Sequence, residues 1–327
     1  MEPREDAAAV PGGLRGRTAA RLRRWRSGVR VRVEEGNGAW RLLGPLRDAL
    51  ARRRISHALR DLFVARNGYR PHLRRPRTFN EKIQWLKLNY HDPLQTLCSD
   101  KLRMREYVGP LIGEEHTVAV LGSYARGADV DFDALPDRYV LKVNDGFAMN
   151  IVNDGSPGFD RDDARTRLDA WMDATDRHYM FSYEWAYRDI EPRIVCEEYL
   201  ESDDPRGLVD YKVWCFNGRP EVVLHAAGRD VHYTRDYFDT SWNRLEHVRG
   251  EMSPTVPPKP EALERMLELA TRLSQPFPFV RVDFYVVRGR ILVGELSFYP
   301  SAGLEPFDDI SWDRRFGRML RLPRPRR

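Results

Sequence analysis

Between residues 45 and 67 the apolar side chains Leu46, Leu50, Leu59, Leu62 and Phe63 recur at helical intervals, with Pro45 near the start and Gly68 just past the end. This predicts an amphipathic helix. Its apolar stripe packs on the protein, and its Arg52-Arg53-Arg54 cluster faces water or an anionic surface. A second helix is signalled by Thr78-Phe79-Asn80-Glu81, where Thr78 can cap the free amides while Glu81 reaches back to the Thr78 amide, and it should run through Ile83, Trp85, Leu86 and Tyr90. Ser99 predicts the start of a third, through Leu102, Met104 and Tyr107, stopped by Gly109-Pro110. Further helices are expected over 160–176 and over 261–274, with Pro260 at the first turn of the latter.

β-Branched and aromatic runs bounded by turn residues predict strands at Tyr139–Asn144, Arg193–Leu200, Tyr211–Phe216, Glu221–His225, Phe279–Val287 and Ile291–Phe298. Asn217-Gly218 is a strong hairpin signal, because both residues tolerate the positive φ of a type I′ turn. The late strands should therefore pair antiparallel. There is no internal repeat, no G-x-x-x-x-G-K-[ST] phosphate loop and no G-x-G-x-x-G fingerprint.

Chemistry is densest in Phe279–Phe298. Alternation puts Val280, Val282, Phe284 and Val286 on one face and Arg281, Asp283 and Tyr285 on the other. A three-residue loop at Arg288-Gly289-Arg290 would set Asp283 opposite Glu295, whereas a two-residue loop would put them on opposite faces, and the odd-length loop is expected. Carboxylates facing at about 5 Å repel unless a cation lies between them. One reading is Mg²⁺ held by Asp283, Glu295 and Ser297 with Arg281 on the same phosphates; the other is an Arg–Asp–Glu ion-pair ladder.

Composition narrows the class: 327 residues can bury a large core, and 42% hydrophobic with 31% charged residues describes a globular chain. No apolar run approaches the roughly 20 residues of a membrane span, and the Arg-rich N-terminus lacks the apolar stretch of a secretory signal. A cytoplasmic location is expected. The net charge of +5 is unevenly spread, for residues 1–60 hold fifteen Arg against six Asp or Glu, a local +9 on a body of −4. Such an extension points to an anionic contact, with the inner membrane face as candidate partner, rather than to nucleic acid, for which no signature appears. Cys98, Cys196 and Cys215 lack metal spacing and are expected as buried thiols. The eight histidines show no ligand spacing.

Several blocks together resemble the TupA-like ATP-grasp proteins over residues 78–323. They are Phe79–Tyr90, Asp100-Lys101, Leu141–Asn144, Pro192–Ile194, Glu197–Leu200, Asp210–Lys212 and Gly303–Phe307. The resemblance implies an α+β, ATP-grasp-like fold in which two lobes with largely antiparallel sheets clamp ATP and Mg²⁺ after a basic helical extension. It implies boundaries at 1–44 (basic extension), 45–135 (helical region), 136–200 (nucleotide-binding lobe), 201–323 (C-terminal lobe with the metal site) and 324–327 (basic tail). It implies that Lys142, Gly146 and Asn150 meet phosphates, that Glu197, Glu198, Tyr199 and Leu200 form an adenine hinge, and that Lys212 and Arg281 are catalytic phosphate contacts. Asp283, Glu295 and Ser297 resemble the metal ligands. The chain has six Lys against forty-eight Arg, and two of the six lie in these strand motifs, where a compact ammonium suits a crowded phosphate. The loop Asn144–Asn150 keeps one glycine, Gly146, where the family has a small Gly-rich segment.

The activity implied is carboxylate activation as an acyl phosphate for attack by an amine, in cell-surface polysaccharide synthesis. The acceptor is a small molecule or glycan, with Trp185, Tyr187 and Arg193 as candidate sugar contacts. A glycosyl- or phosphotransferase of the same pathway, or an inert nucleotide- or glycan-binding protein, are the alternatives. Asp283→Asn and Glu295→Gln are expected to remove turnover with little loss of folding.

Overall fold

The computed structural model describes residues 39–174, 182–202, 204–229 and 231–324, with side chains from residue 52 onward; the Arg-rich residues 1–38 and the end of the tail lie outside them. The chain divides into two units, Met1–Ala51 and Arg52–Arg327. The helix expected from Pro45 is α1, Ala39–Asn67, which starts earlier and carries Pro45 inside it. Everything below concerns the second unit.

The capping box forms as its residues require. Thr78 accepts from the Glu81 amide while the Glu81 carboxylate accepts from the Thr78 amide, and α2 runs Phe79–Asn89; such a cap stabilises a helix by about 1 kcal/mol. The single helix expected from Ser99 is instead two, α3 (Pro93–Ser99) and α4 (Arg105–Ile112). Asp100 breaks them apart by accepting from the Leu102 and Arg103 amides and from Asn144 Nδ2. Helix α4 continues through Gly109-Pro110 and stops at Gly113, whose φ is +111°.

The first sheet has four strands in the order β1-β4-β2-β3: β1 (Val120–Tyr124), β2 (Tyr139–Val143), β3 (Asn150–Asn153) and β4 (Ile194–Glu198). β1 precedes residue 136, yet it pairs antiparallel with β4 as a strand of this sheet. Helix α5 (Arg161–Met172) places Ala164 and Leu168 against Tyr139, Leu141, Ile151 and Ile194 to make the lobe's core.

The second sheet orders six strands β10-β9-β5-β6-β7-β8: β5 (Asp210–Phe216), β6 (Arg219–Ala227), β7 (Thr234–Phe238), β8 (Arg244–Leu245), β9 (Phe279–Val287) and β10 (Arg290–Ser297). Asn217 and Gly218 take φ of 51° and 79°, the expected left-handed turn. Helix α6 (Leu263–Ser274) buries Leu263, Met266, Leu269, Ala270 and Leu273 on the sheet, a 3.6-residue stripe in which each large side chain contributes roughly 1.5–3 kcal/mol. On the sheet's Trp214 side, Phe79 of α2, Phe216, Phe279 and Phe316 of α7 (Ile310–Met319) pack edge-on or tilted, with centroids 5.0–6.2 Å apart.

Candidate functional site

The β9–β10 turn has two residues, not three: Val287 pairs with Arg290 across Arg288 and Gly289, both with positive φ. By alternation alone that loop would separate Asp283 from Glu295. They are nevertheless partners, because the register shifts between Val293 and Glu295 and leaves Gly294 out of the pairing. The Tyr285 ring takes the space where a residue-294 Cβ would stand, 2.5 Å from Cε2. A glycine bulge thus supplies the odd residue that the turn does not.

The other side of β9 is set by β5, where Lys212 pairs with Asp283 and Trp214 with Arg281. One row across three strands therefore reads Lys212, Asp283, Glu295. Asp283 is 2% exposed and both its oxygens are engaged. Arg281 donates to them from Nε and Nη2 at 2.6 Å each, and Lys212 Nζ lies 2.8 Å from Oδ2. Burial alone would raise the Asp283 pKa, but Arg281 and then Lys212 hold it below the usual carboxylate value. Burial likewise opposes the Lys212 ammonium, while Asp283 and Asp210 outweigh it and raise its pKa. Asp210 lies 3.2 Å from Lys212 and 2.7 Å from Arg229. Arg281 Nη2 also donates to Ser297 Oγ at 3.2 Å. Asp283 is thus neutralised by Arg281 and Lys212, as in an ion-pair ladder, while Glu295 has Lys101 at 3.9 Å.

The four-stranded lobe contributes a second cluster. Lys142 on β2 donates to Glu197 Oε2 at 2.5 Å, with Arg105 3.5 Å from the other oxygen. Asn150 pairs with Lys142 as the first residue of β3. Glu198 ends β4, its amide donating to the Ala119 carbonyl, and Tyr199 with Leu200 follow, the Tyr199 ring lying under Arg138. Arg290 from the β9–β10 hairpin reaches Glu198 at 3.1 Å, so the hairpin of one sheet touches the end of β4 in the other.

Lys101 joins the clusters. Its Nζ donates to the Gly146 carbonyl at 2.7 Å and lies 3.9 Å from Glu295, while its amide donates to the Asn144 carbonyl. The Asp100-Lys101 motif was visible in the sequence, but its role depends on a loop more than forty residues away and a strand almost two hundred away. Arg105, Asp210 and Arg229 belong to the same set and carry no spacing signal. Tyr187 also packs here, its pKa raised by burial and then by Glu295. Trp185 instead stacks on His91 at 4.8 Å, and Arg193 pairs with Glu191 at 2.9 Å, so the three aromatic-basic residues do not form one surface. Cys98, Cys196 and Cys215 are buried free thiols.

Among the described residues no three or more His, Cys, Asp or Glu converge as a metal centre. Asp283, Glu295 and Ser297 fit Mg²⁺ by donor type, since that ion is commonly held by one or two carboxylates with substrate phosphates completing its shell. Asp283 must share an oxygen now bound by Arg281. No helix among the described residues is long and apolar enough to cross a membrane.

The ATP-grasp ligase PsnB with a phosphomimetic precursor variant, Mg and ADP is 12% identical over 71% of this chain and 60% of its own, with a TM-score of 0.39. D-alanine–D-alanine ligase from Bacillus anthracis with ATP is 15% identical over 62% of this chain and 54% of its own, TM-score 0.36. D-cycloserine synthetase DcsG is 16% identical over 70% and 71%, TM-score 0.35. The chain thus spans little more than half the length of the D-alanine–D-alanine ligase. No curated protein matches by sequence. The family description TupA-like ATPgrasp matches residues 81–321. That span takes in both sheets, the Lys142 and Glu197 pair and the Asp283–Glu295 hairpin, and the chain belongs to the TupA-like ATP-grasp family.

Proposed function

We propose that this protein is a Mg-ATP-dependent enzyme of the carboxylate–amine ligase type. The observation carrying this reading is Lys101, which touches both the Gly146 loop of one sheet and Glu295 of the other. Around it, Lys101, Lys142, Lys212, Arg105, Arg229 and Arg281 face Glu197, Asp210, Asp283 and Glu295, six cations against four carboxylates. The surplus charge suits a polyphosphate.

Lys142 and Lys101 hold the nucleotide's inner phosphates, and Lys212 with Arg281 neutralise the terminal one. Asp283 and Glu295 would hold Mg²⁺, which would supply charge neutralisation at the transferring phosphoryl group. Glu197 holds Lys142 in place through its 2.5 Å hydrogen bond. Arg281 is held by Asp283 and Ser297, so its guanidinium is oriented before any phosphate arrives. No side-chain nucleophile is required: the acceptor carboxylate attacks the terminal phosphorus and ADP leaves, then the amine attacks the acyl carbon of the acyl phosphate, inorganic phosphate leaves and the amine proton passes to water.

Purified protein with Mg-ATP and pairs of uronic and amino acids tests this by mass spectrometry. ADP and phosphate released only when both partners are present support the ligase. Phosphate retained on one acceptor indicates a phosphotransferase instead. The saturation of Asp283 by two cations favours one second reading, a protein that binds nucleotide without turning it over; ATP binding with no ADP under any pair supports that. A cytoplasmic site of action and a role in polysaccharide synthesis belong to the proposal.

A further inference from the structure

Two cavities lie side by side where the segment before α2 meets α7. The larger, about 740 Å³, is lined by Arg77, Lys82, Arg314 and Arg318 together with Tyr69 and Pro76. The smaller, about 450 Å³, is lined by Arg70, Arg74 and Arg75, and His72 borders both. The arginines are exposed, and among the described residues none of Arg70, Arg74, Arg75, Arg77, Arg314 or Arg318 has a carboxylate within salt-bridge reach. Most other arginines of the fold do pair: Arg105, Arg138, Arg229, Arg235, Arg244 and Arg249 each have an acid within 4 Å.

Asp309, the N-cap of α7, acts on Arg314 from beyond salt-bridge reach and spends an oxygen on the Ser311 amide, and the other acids beside these cavities are turned inward. Glu81 is 2% exposed, and its two oxygens accept from the backbone amides of His72, Arg77 and Thr78. Asp313 is equally buried and accepts from the Asn80 amide. Lys82 spends its ammonium on the Gly317 and Leu320 carbonyls at the end of α7. The carboxylates thus build the walls and the guanidiniums are left facing outward.

We infer that this double groove binds a chain of repeated anionic sugars, an acidic polysaccharide, with the arginines on its carboxylate or phosphate groups. A guanidinium grips such groups bidentately. Two adjoining concavities about a common His72 suit a chain that fills them in succession, whereas a bilayer presents a flat sheet of charge. The Tyr69 and Pro76 walls offer the apolar contact that sugar rings use. A glycan ligand here is compatible with the proposed ligase and does not depend on it, because no cleft residue takes part.

The test uses the full chain and a fluorescein-labelled alginate octasaccharide, followed by anisotropy at low and moderate salt. Wild type should bind it, weaken as salt rises, and ignore a neutral dextran of equal length. The double variant Arg314→Glu/Arg318→Glu and, in the other cavity, Arg70→Gln/Arg74→Gln should each lose about 10-fold or more in affinity with unchanged circular dichroism. Glu295→Gln in the cleft should keep wild-type affinity. Equal binding by both double variants overturns the inference. So does stronger arginine-dependent binding to vesicles containing phosphatidylglycerol, which assigns the groove to membrane, and so does equal competition by inorganic phosphate, which reduces it to an unspecific anion site.

Discussion

Glu295 is the cross-strand partner of Asp283 because Gly294, the residue before it, is left out of the ladder. The two-residue Arg288-Gly289 turn would otherwise send the two carboxylates to opposite faces. The geometry of the acidic pair therefore depends on a residue with no side chain. Deleting Gly294 should rotate Glu295 out of the cleft and abolish Mg-ATP binding while the hairpin still forms. Gly294→Ala should cost about 1–3 kcal/mol, since Tyr285 must move, with nucleotide binding retained. Calorimetric titration of both variants with Mg-ATP checks this, and equal affinities would break the link between bulge and site.

The two acids should differ sharply when neutralised. Asp283→Asn leaves Arg281 buried without its carboxylate and Lys212 with Asp210 alone, so urea unfolding should show a loss of about 3–5 kcal/mol. Glu295 is about one-third exposed on its side chain, and its one ion pair among the described residues is with Lys101 at 3.9 Å, so Glu295→Gln should cost about 1 kcal/mol or less. The expectation from sequence of little folding loss in either variant is thus revised for Asp283. Both should lower ATP-dependent turnover by roughly 100-fold or more. Turnover within a few-fold of wild type in Glu295→Gln would remove that carboxylate from the mechanism.

Lys101→Met should weaken ATP binding by about 10-fold or more without disturbing the fold. Lys101→Arg should not restore it, because the compact ammonium reaches the Gly146 carbonyl and Glu295 together. Fluorescent-nucleotide titration of the two variants discriminates this from a general charge effect, under which arginine would rescue.

Lys87 offers a pH test. Burial lowers its pKa from 10.5 to about 8, with Glu184 opposing in part. The ammonium donates to the Ser182 and Ala302 carbonyls, and Ala302 lies with Ser301 and Gly303 in three consecutive left-handed residues after β10. A base whose folded value is depressed binds fewer protons folded than unfolded between the two values. The cost of burying its charge is therefore full below pH 8 and relieved as pH rises from about 8 to 10.5. Wild type should gain roughly 3 kcal/mol relative to Lys87→Met across that window. Unfolding free energies measured at several pH values check the slope, and parallel curves for the two proteins would refute it.

Much of this was legible in the sequence wherever local chemistry decides. The Thr78–Glu81 capping box, the Asn217-Gly218 turn and the stripe of α6 depend on residues within a few positions of one another. β1, β3, β7, β8 and α3 were missed because their patterns are short, and Asp100 interrupts a helix by a bond that periodicity does not report. Five of the six lysines turn out to hold acceptors in the body of the fold, namely Lys82, Lys87, Lys101, Lys142 and Lys212, while Lys259 pairs with Glu264 at the surface. Their rarity hinted at special positions; their partners lie tens to hundreds of residues away.

By itself the sequence determined the longer elements, the α+β class and the family, since these follow from short-range patterning and from motif blocks read in order. Only the tertiary structure decided that Arg281 and Lys212 share Asp283, that Lys101 spans the two sheets and that six arginines around the double groove stand with no carboxylate within 4 Å among the described residues. Charge pairing is a matter of distance in space, and chain order does not encode which of forty-eight arginines finds a carboxylate within 4 Å.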